Sequence, residues 1–126
     1  MTKRNQIICV LVLVVGASVF AYEYLLPRIA RAYPRWAWNS GYGSLQKYAV
    51  SNLVKQLTPG MPARKAVEIV GPGSKGWDEA AWTDAAWAEL DAAKFGMLYF
   101  NARSDSNFGI SIIYKGGKVE SADIFD

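Results

Sequence analysis

The order of apolar and polar positions divides the chain into one long apolar stretch, a helical region and a final β region. Residues 5–22 carry no formal charge, and as a helix rising about 1.5 Å per residue they would cover ~27 Å, near the thickness of a bilayer's hydrocarbon core. Twelve of residues 7–26 are Ile, Leu, Val or Phe, which favours membrane insertion by about 4 to 7 kcal/mol. The pattern therefore predicts that residues 1–26 form a transmembrane helix that anchors the chain.

The same stretch also has the features of a cleaved secretory signal peptide. Two basic residues precede the apolar core, and residues 19–21 end on an alanine that suits a signal peptidase. A retained anchor is favoured because Tyr22 and Tyr24 fall where interfacial aromatic rings are found in membrane proteins. Because a short charged tail resists translocation, we expect a single-pass protein of the bacterial inner membrane, with a cytoplasmic N-terminus and a periplasmic C-terminal domain.

Basic and aromatic residues follow the apolar stretch in residues 27–43, which we interpret as a juxtamembrane linker. Arginine side chains bind lipid phosphates, and Tyr and Trp rings favour the half-wet head-group layer. Gly and Ser within residues 39–44 are typical of a flexible connector. The alternative is that these aromatic rings pack on the folded domain. The residues predicted to lie at the membrane interface are Tyr22, Tyr24, Arg28, Arg31, Tyr33, Arg35, Trp36 and Trp38.

Apolar residues then recur at intervals of three and four, which predicts two amphipathic helices and a third helix rich in alanine. The first covers residues 45–57, with Ser44 as its N-cap and Tyr48 on its predicted buried face. The second covers residues 62–70 and ends at Gly71. Its predicted buried stripe consists of Ala63, Ala66, Val67 and Val70. The third covers residues 78–94. The tryptophans of this third region either pack into the core or form a partner-binding patch, and they are Trp77, Trp82 and Trp87.

The last part of the chain alternates apolar and polar residues with a period of two, as strands do. Strands are predicted over residues 95–100, 108–114 and 119–125. Gly116 and Gly117 suit a two-residue hairpin turn, in which both positions need a positive φ. The chain is therefore predicted to have an α+β fold: an N-terminal transmembrane helix, then a small two-layer domain over residues 44–126, with two to three helices packed on a three-stranded antiparallel sheet.

Two short motifs in this domain have a family association. Residues 57–72, LTPGMPARKAVEIVGP, place a Gly-Met step before a short helix that closes on Gly-Pro, and residues 110–119, ISIIYKGGKV, form an apolar strand, a Gly turn and a Val-led strand. Over roughly residues 53–126 the chain resembles the SmpA/OmlA (BamE-like) envelope domain. The resemblance implies a periplasmic, non-enzymatic module that binds proteins or lipid in outer-membrane assembly or envelope integrity.

The chain departs from that family in two respects. Members are typically anchored by a lipid on a cysteine at the mature N-terminus, whereas the N-terminal anchor here is not of the lipoprotein type. Residues 77–94 also lengthen the link between the helix and the sheet. The resemblance therefore implies residence in the envelope without specifying the outer membrane.

Composition excludes several classes of chemistry. The chain has no histidine, which removes Ser-His-Asp and Cys-His catalysis and histidine zinc sites. Its one cysteine, Cys9, lies in the apolar stretch, so an intrachain disulfide and a thiolate metal cluster cannot form. The formal charge of +3 is concentrated beside the apolar stretch, so we expect no nucleic-acid partner. We predict no catalytic residues, no metal and no cofactor.

Together these features predict a binding protein rather than an enzyme. We expect a membrane-anchored binding or assembly module of the bacterial cell envelope, such as an accessory subunit of a membrane protein complex. Its expected partners are membrane lipid and a membrane or envelope protein. Anchoring raises the local concentration of the domain near such a partner, so modest contacts suffice. The alternative is a secreted inhibitor or ligand-binding protein, released when the signal peptide is cleaved.

Overall fold

The computed structural model describes residues 2–105 and 107–126, in which helices come first and an antiparallel sheet comes last. This is the α+β class predicted from the sequence, and the prediction is confirmed. The helices are α1 (Lys3–Phe20), α2 (Leu26–Ala32), α3 (Pro34–Asn39), α4 (Gly43–Gln56), α5 (Ala63–Val70) and α6 (Asp84–Ala92). The strands are β1 (Gly96–Asn101), β2 (Gly109–Lys115) and β3 (Lys118–Phe125).

Helix α1 continues through a π-helical turn, Ala21–Leu25, into α2, so that Lys3–Ala32 is one helix of 30 residues. Pro27 explains the π turn, because it has no N–H to donate and its ring crowds the carbonyl four residues earlier. The N–H of Leu26 reaches back five residues to the Ala21 carbonyl. The helix is long and apolar enough to cross a membrane, and none of its apolar 18-residue window is buried. A signal sequence has the same two properties.

Helices α2 and α3 pack against α4, although the composition of residues 27–43 predicts a linker. The buried side chains that fill this contact are Ala30, Ala37, Leu45 and Ala49. The side-chain amide of Asn52 adds a hydrogen bond of 2.9 Å to the Arg31 carbonyl. Small side chains such as alanine let helices approach closely. In the sequence, however, a few alanines among basic and aromatic residues do not produce a recognisable apolar pattern. The segment is therefore a packed part of the domain.

Helices α4 and α5 lie close to their predicted positions. Pro62 precedes α5 as its N-cap, and Gly71 ends the helix. Helix α4 begins one residue before the predicted cap, at Gly43, with Tyr42 as its N-cap. Tyr48, predicted on the buried face of α4, is exposed. The predicted buried stripe of α5 is confirmed in Ala63, Ala66, Val67 and Val70.

The predicted third helix, residues 78–94, is two separate elements. Asp78 caps a short 3-10 turn, Glu79–Ala81, by accepting a hydrogen bond of 3.0 Å from a backbone N–H two residues on. Thr83 then caps α6 by accepting a hydrogen bond of 3.3 Å from the N–H of Ala86. Each side-chain oxygen competes with the helix for a backbone N–H and starts a new turn. The prediction of one continuous helix was wrong for this reason.

The three strands form an antiparallel sheet in the order β1-β2-β3. Phe100 pairs with Ile110 and Leu98 with Ile112, which places side chains of adjacent strands together in the core. The hairpin between β2 and β3 turns at two glycines with φ of 59° and 74°, as predicted. The main hydrophobic core lies between this sheet and the helices α4, α5 and α6.

Candidate binding groove

Three tryptophan rings form a continuous row at the edge of the main core, called here the tryptophan row. Trp87 is buried in that core, and Trp77 and Trp82 are half-buried against it. The rings of Trp77 and Trp82 lie 6.0 Å apart between centroids with 26° between their planes, and those of Trp82 and Trp87 lie 4.6 Å apart with 29°. Trp77 lies in the loop after α5, Trp82 follows the 3-10 turn and Trp87 belongs to α6. Residues five apart do not align on a continuous helix. The row therefore depends on the two capped turns between them.

Helix α5 supports the tryptophan row along its length. Trp77 lies directly against Gly71, where an added Cβ would overlap three atoms of the indole ring. At the other end, the Arg64 guanidinium lies 4.7 Å from the centroid of the Trp87 ring, a cation–π contact. From Arg64 to Gly71 the helix is roughly 11 Å long at about 1.5 Å per residue. Together, the two distances between neighbouring ring centroids are about as long as this helix segment. The row therefore runs alongside α5.

The tryptophan row forms one wall of a groove with a volume of about 510 Å³, which is within the range of ligand sites in proteins. Two arginines and two glutamates also line it, namely Arg64, Arg103, Glu68 and Glu79. Arg64 pairs with Glu68 at 3.1 Å. The Arg103 guanidinium donates a hydrogen bond to the Pro72 carbonyl. The groove thus combines indole rings with balanced charge and arginines that are already positioned.

A buried glutamine fixes the loops next to the groove. Gln46 of α4 is fully buried, and its amide nitrogen donates to the carbonyls of Trp38, at 2.8 Å, and Gly73, at 2.6 Å. Its amide oxygen accepts hydrogen bonds from the backbone N–H of Ser104, at 3.1 Å, and from the Ser104 hydroxyl, at 2.7 Å. One side chain therefore ties α3 and the loop after α5 to the β1–β2 loop with all four of its hydrogen bonds made.

Trp38 is a core residue, which corrects the prediction that it lies at the membrane interface. Its side chain is 0% exposed, its indole N–H donates to the Val70 carbonyl at 2.7 Å, and its ring packs edge-on against Phe108. Gly73 makes room for the ring, because an added Cβ there would overlap it. The alternative noted from the sequence, packing of these aromatics on the domain, holds for Trp38.

The other predicted membrane-interface residues are exposed. The Tyr24 ring stacks on Phe20 with 4.9 Å between centroids, and the Arg28 guanidinium lies 4.3 Å from the Tyr24 centroid. Exposure makes these side chains available to lipid, and their contact with lipid stays a prediction. The exposed residues are Tyr22, Tyr24, Arg28, Arg31, Tyr33, Arg35 and Trp36.

These exposed residues lie at different points along the length of α4. The Tyr22 hydroxyl lies 2.9 Å from the hydroxyl of Ser44, at the start of α4. The Arg35 side chain donates a hydrogen bond of 3.0 Å to the side-chain oxygen of Gln56, at the end of α4. The two ends are roughly 18 Å apart at about 1.5 Å per residue. Tyr22 therefore lies nearer the apolar helix, whereas Arg35 and its neighbour Trp36 lie farther along the domain.

Sequence reasoning did not bring Arg64 and Arg103 together with the tryptophans in one groove, and it did not identify the buried Gln46. The four-residue spacing of Arg64 and Glu68 on a helix was visible, but it marks an ordinary surface pair. The sequence Thr83-Asp84 is a helix N-cap signal that would have divided the third helix correctly. Within residues 2–105 and 107–126, no three acidic or cysteine side chains lie close enough together to hold a metal ion.

Comparison with known proteins leaves the function to be argued from the groove and the apolar helix. No family model, curated protein or solved structure matches the chain. The resemblance to the SmpA/OmlA family therefore stays a prediction that depends on the two sequence motifs. A fold of this class serves many functions, so only the site can carry a functional argument.

Proposed function

We propose that this protein is a membrane-anchored, non-enzymatic binding module of the bacterial cell envelope. The observation that carries the proposal is the apolar helix, because none of its 18-residue apolar window packs against the rest of the chain. Exposing apolar surface to water is unfavourable by about 25 cal/mol for each Å². A lipid bilayer covers a helix of this length, and the helix satisfies its own backbone hydrogen bonds there.

The junction between α1 and the domain supports a retained anchor. The apolar helix passes without interruption into α2, which packs on α4 through Ala30. The cleavage position predicted after Ala21 falls within a helical turn of this continuous helix. An anchor continuous with the domain would present the groove at a set height above the bilayer. Confinement there raises the effective concentration for a membrane-bound partner.

The groove supplies the binding surface in this proposal. Trp and Arg are enriched among the residues that dominate protein interfaces, and both line the groove. The proposed partners are membrane lipid, for the residues next to the apolar helix, and a membrane or envelope protein, for the groove. The SmpA/OmlA resemblance favours a periplasmic domain that binds proteins or lipid, and the short charged N-terminal tail, which resists translocation, favours a cytoplasmic N-terminus. The role proposed for such a module is that of an accessory subunit of a membrane protein complex.

Alkaline carbonate extraction of bacterial membranes tests the anchor. The full-length protein should stay in the membrane pellet. Leu13→Arg is the matched variant, because Leu13 is 71% exposed and no residue of α1 is buried, so the domain keeps its core. A charge at the centre of the span opposes insertion by about 2.5 to 3.5 kcal/mol and should raise the extracted fraction. Release of the unchanged protein as freely as a soluble one would contradict the proposal.

Intact mass spectrometry of the protein from both the membrane and the soluble fractions of the same cells separates the retained anchor from its alternative. The mass of the full chain is the expected result. Loss of residues 1–21 would favour a secreted inhibitor or ligand-binding protein, because cleavage there frees the domain from the membrane. The two experiments together decide between anchoring and release without depending on a known partner.

A further inference from the structure

The groove beside α5 offers more hydrogen-bond donors than acceptors. An indole N–H and a guanidinium only donate, and the groove is lined by three indoles and two arginines. Among the described residues, Trp38 is the one tryptophan whose indole N–H donates to a protein atom, and Trp38 lies outside the tryptophan row. Of the two carboxylates, Glu68 is already paired with Arg64 at 3.1 Å. A ligand that fits this groove therefore brings acceptors and few donors.

The ring faces in the tryptophan row are already occupied. Trp82 lies between two other indoles, and Trp87 lies between an indole and the Arg64 guanidinium. A nucleobase or a sugar ring binds an aromatic side chain by stacking on a free face, which these two rings do not offer. The ring centroids are 6.0 and 4.6 Å apart, so neighbouring rings are in contact and leave no gap in which a planar ligand could insert.

We propose that this groove binds a proline-rich segment of a partner protein in the polyproline II conformation. Proline has a carbonyl but no N–H, and a polyproline II chain has no internal hydrogen bonds, so every carbonyl is a free acceptor. Its apolar rings suit aromatic-lined grooves, a recurring mode of peptide recognition. With a rise of about 3.1 Å per residue, the ~11 Å of α5 beside the row accommodates about three to four residues.

The charges of the groove match an uncharged segment of this kind. Arg64 and Arg103 are balanced by Glu68 and Glu79, so a neutral ligand leaves no charge uncompensated. A charged segment of either sign would be attracted by one pair of these side chains and repelled by the other, so the charges favour neither an acidic nor a basic ligand. This inference builds on the proposed binding function by naming the class of partner. Carbonate extraction tests the anchor and peptide titration tests the groove, so either proposal can fail alone.

Calorimetric titration of the full-length protein in detergent micelles with a decaproline peptide tests the groove. A Gly-Ser peptide of equal length is the control, because it has as many carbonyls but carries its own N–H groups and behaves as a flexible coil. We expect saturable binding of decaproline and about tenfold weaker binding of the Gly-Ser peptide, which must be ordered on binding. No saturable binding of decaproline, or equal binding of both peptides, would overturn the proposal.

The variant Trp82→Phe locates the binding, since it removes one indole N–H and keeps an aromatic ring in the row. Its affinity for decaproline should fall by about fivefold, as expected for the loss of one hydrogen bond. Trp36→Phe is the matched control, because Trp36 is 57% exposed and lies outside the groove. Equal affinities of the two variants for decaproline would overturn the proposal.

A second measurement covers the case in which Trp82→Phe does not fold. In the Trp36→Phe protein, bound decaproline should shield the tryptophan row from quenching by acrylamide, whereas the Gly-Ser peptide should not. Unchanged quenching at a saturating concentration of decaproline would overturn the proposal, because the peptide would then be bound elsewhere.

Discussion

Trp38 and Gln46 join the N-terminal helices to the loop that follows α5. Trp38 donates a hydrogen bond to the carbonyl of Val70, and Gln46 donates one to the carbonyl of Gly73. A buried polar group left without its partner costs about 1 to 3 kcal/mol. The loop held in this way leads directly into Trp77, so the same two residues support one wall of the groove.

Trp38→Phe should lower the free energy of unfolding by about 1 to 3 kcal/mol, because the Val70 carbonyl loses its donor and the smaller ring leaves a gap. Trp36→Phe makes the same chemical change at a position that is 57% exposed, and we expect an effect within about 0.5 kcal/mol. Urea unfolding of the full-length protein in micelles, followed by circular dichroism, measures both. Equal destabilisation would contradict the placement of Trp38 in the core.

Gln46→Leu should lower the free energy of unfolding by about 2 to 4 kcal/mol, because four buried hydrogen bonds end on this one side chain. The control is Gln56→Leu, whose side chain is exposed and accepts a bond only from Arg35 among the described contacts. Gln46→Leu should also speed protease cleavage in the β1–β2 loop near Ser104. Unchanged cleavage there would show that Gln46 does not hold this loop.

Neither of these two residues could be assigned from the sequence. Trp38 stands two positions after Trp36 in one basic and aromatic stretch. The composition of that stretch does not reveal which of the two rings packs into the core. Gln46 is a polar residue on an apolar helix face, with partners 8 to 58 positions away in the chain. Only the packed tertiary structure brings those partners together.

Among the elements, the β2–β3 hairpin permits a direct comparison of its two turn glycines. Both have positive φ, but an added Cβ at Gly117 would come within 2.8 Å of the Asp91 carbonyl oxygen, while Gly116 has open space. Gly116→Ala should therefore cost about 1 kcal/mol for its conformation alone. Gly117→Ala should cost roughly 2 kcal/mol or more, because the contact with α6 adds to the strain.

Thermal unfolding of the two glycine variants in micelles measures this difference. Gly116→Asn is the control for conformation, since Asn tolerates positive φ, and it should recover most of the loss seen with alanine. A larger effect at Gly116 than at Gly117 would contradict the packing of the turn against α6.

The hairpin and α5 could be predicted from the sequence because their signals are local. Pro62 and Gly71 mark the ends of α5, and a stripe of apolar residues marks its buried face. Helices α2 and α3 lacked such a signal, since their buried contacts are made mainly by Ala30 and Ala37. The tryptophans of the groove were predicted as candidates, but Arg64 comes from a different element, so the site itself required the fold.

At the scale of the whole molecule, the continuous helix determines which residues can reach the membrane. The end of α4 beside Arg35 lies roughly 18 Å beyond the end beside Tyr22. The head-group layer is only about 5 to 8 Å deep on each side of a bilayer. An upright helix, or one with the usual tilt of about 20°, therefore keeps Tyr22 and Tyr24 in this layer and lifts Trp36 above it. The sequence prediction placed all of them at the interface.

A quencher attached to lipid head groups measures this height in proteoliposomes. Trp36→Phe should leave the quenched fraction of tryptophan emission unchanged, because Trp36 stands clear of the head groups. Tyr24→Trp should add a strongly quenched component, whereas Tyr33→Trp, at an exposed position beside Trp36, should add an unquenched one. If Trp36→Phe instead reduces the quenching, the domain leans on the bilayer through α2 and α3. Arg35 would then reach lipid phosphates.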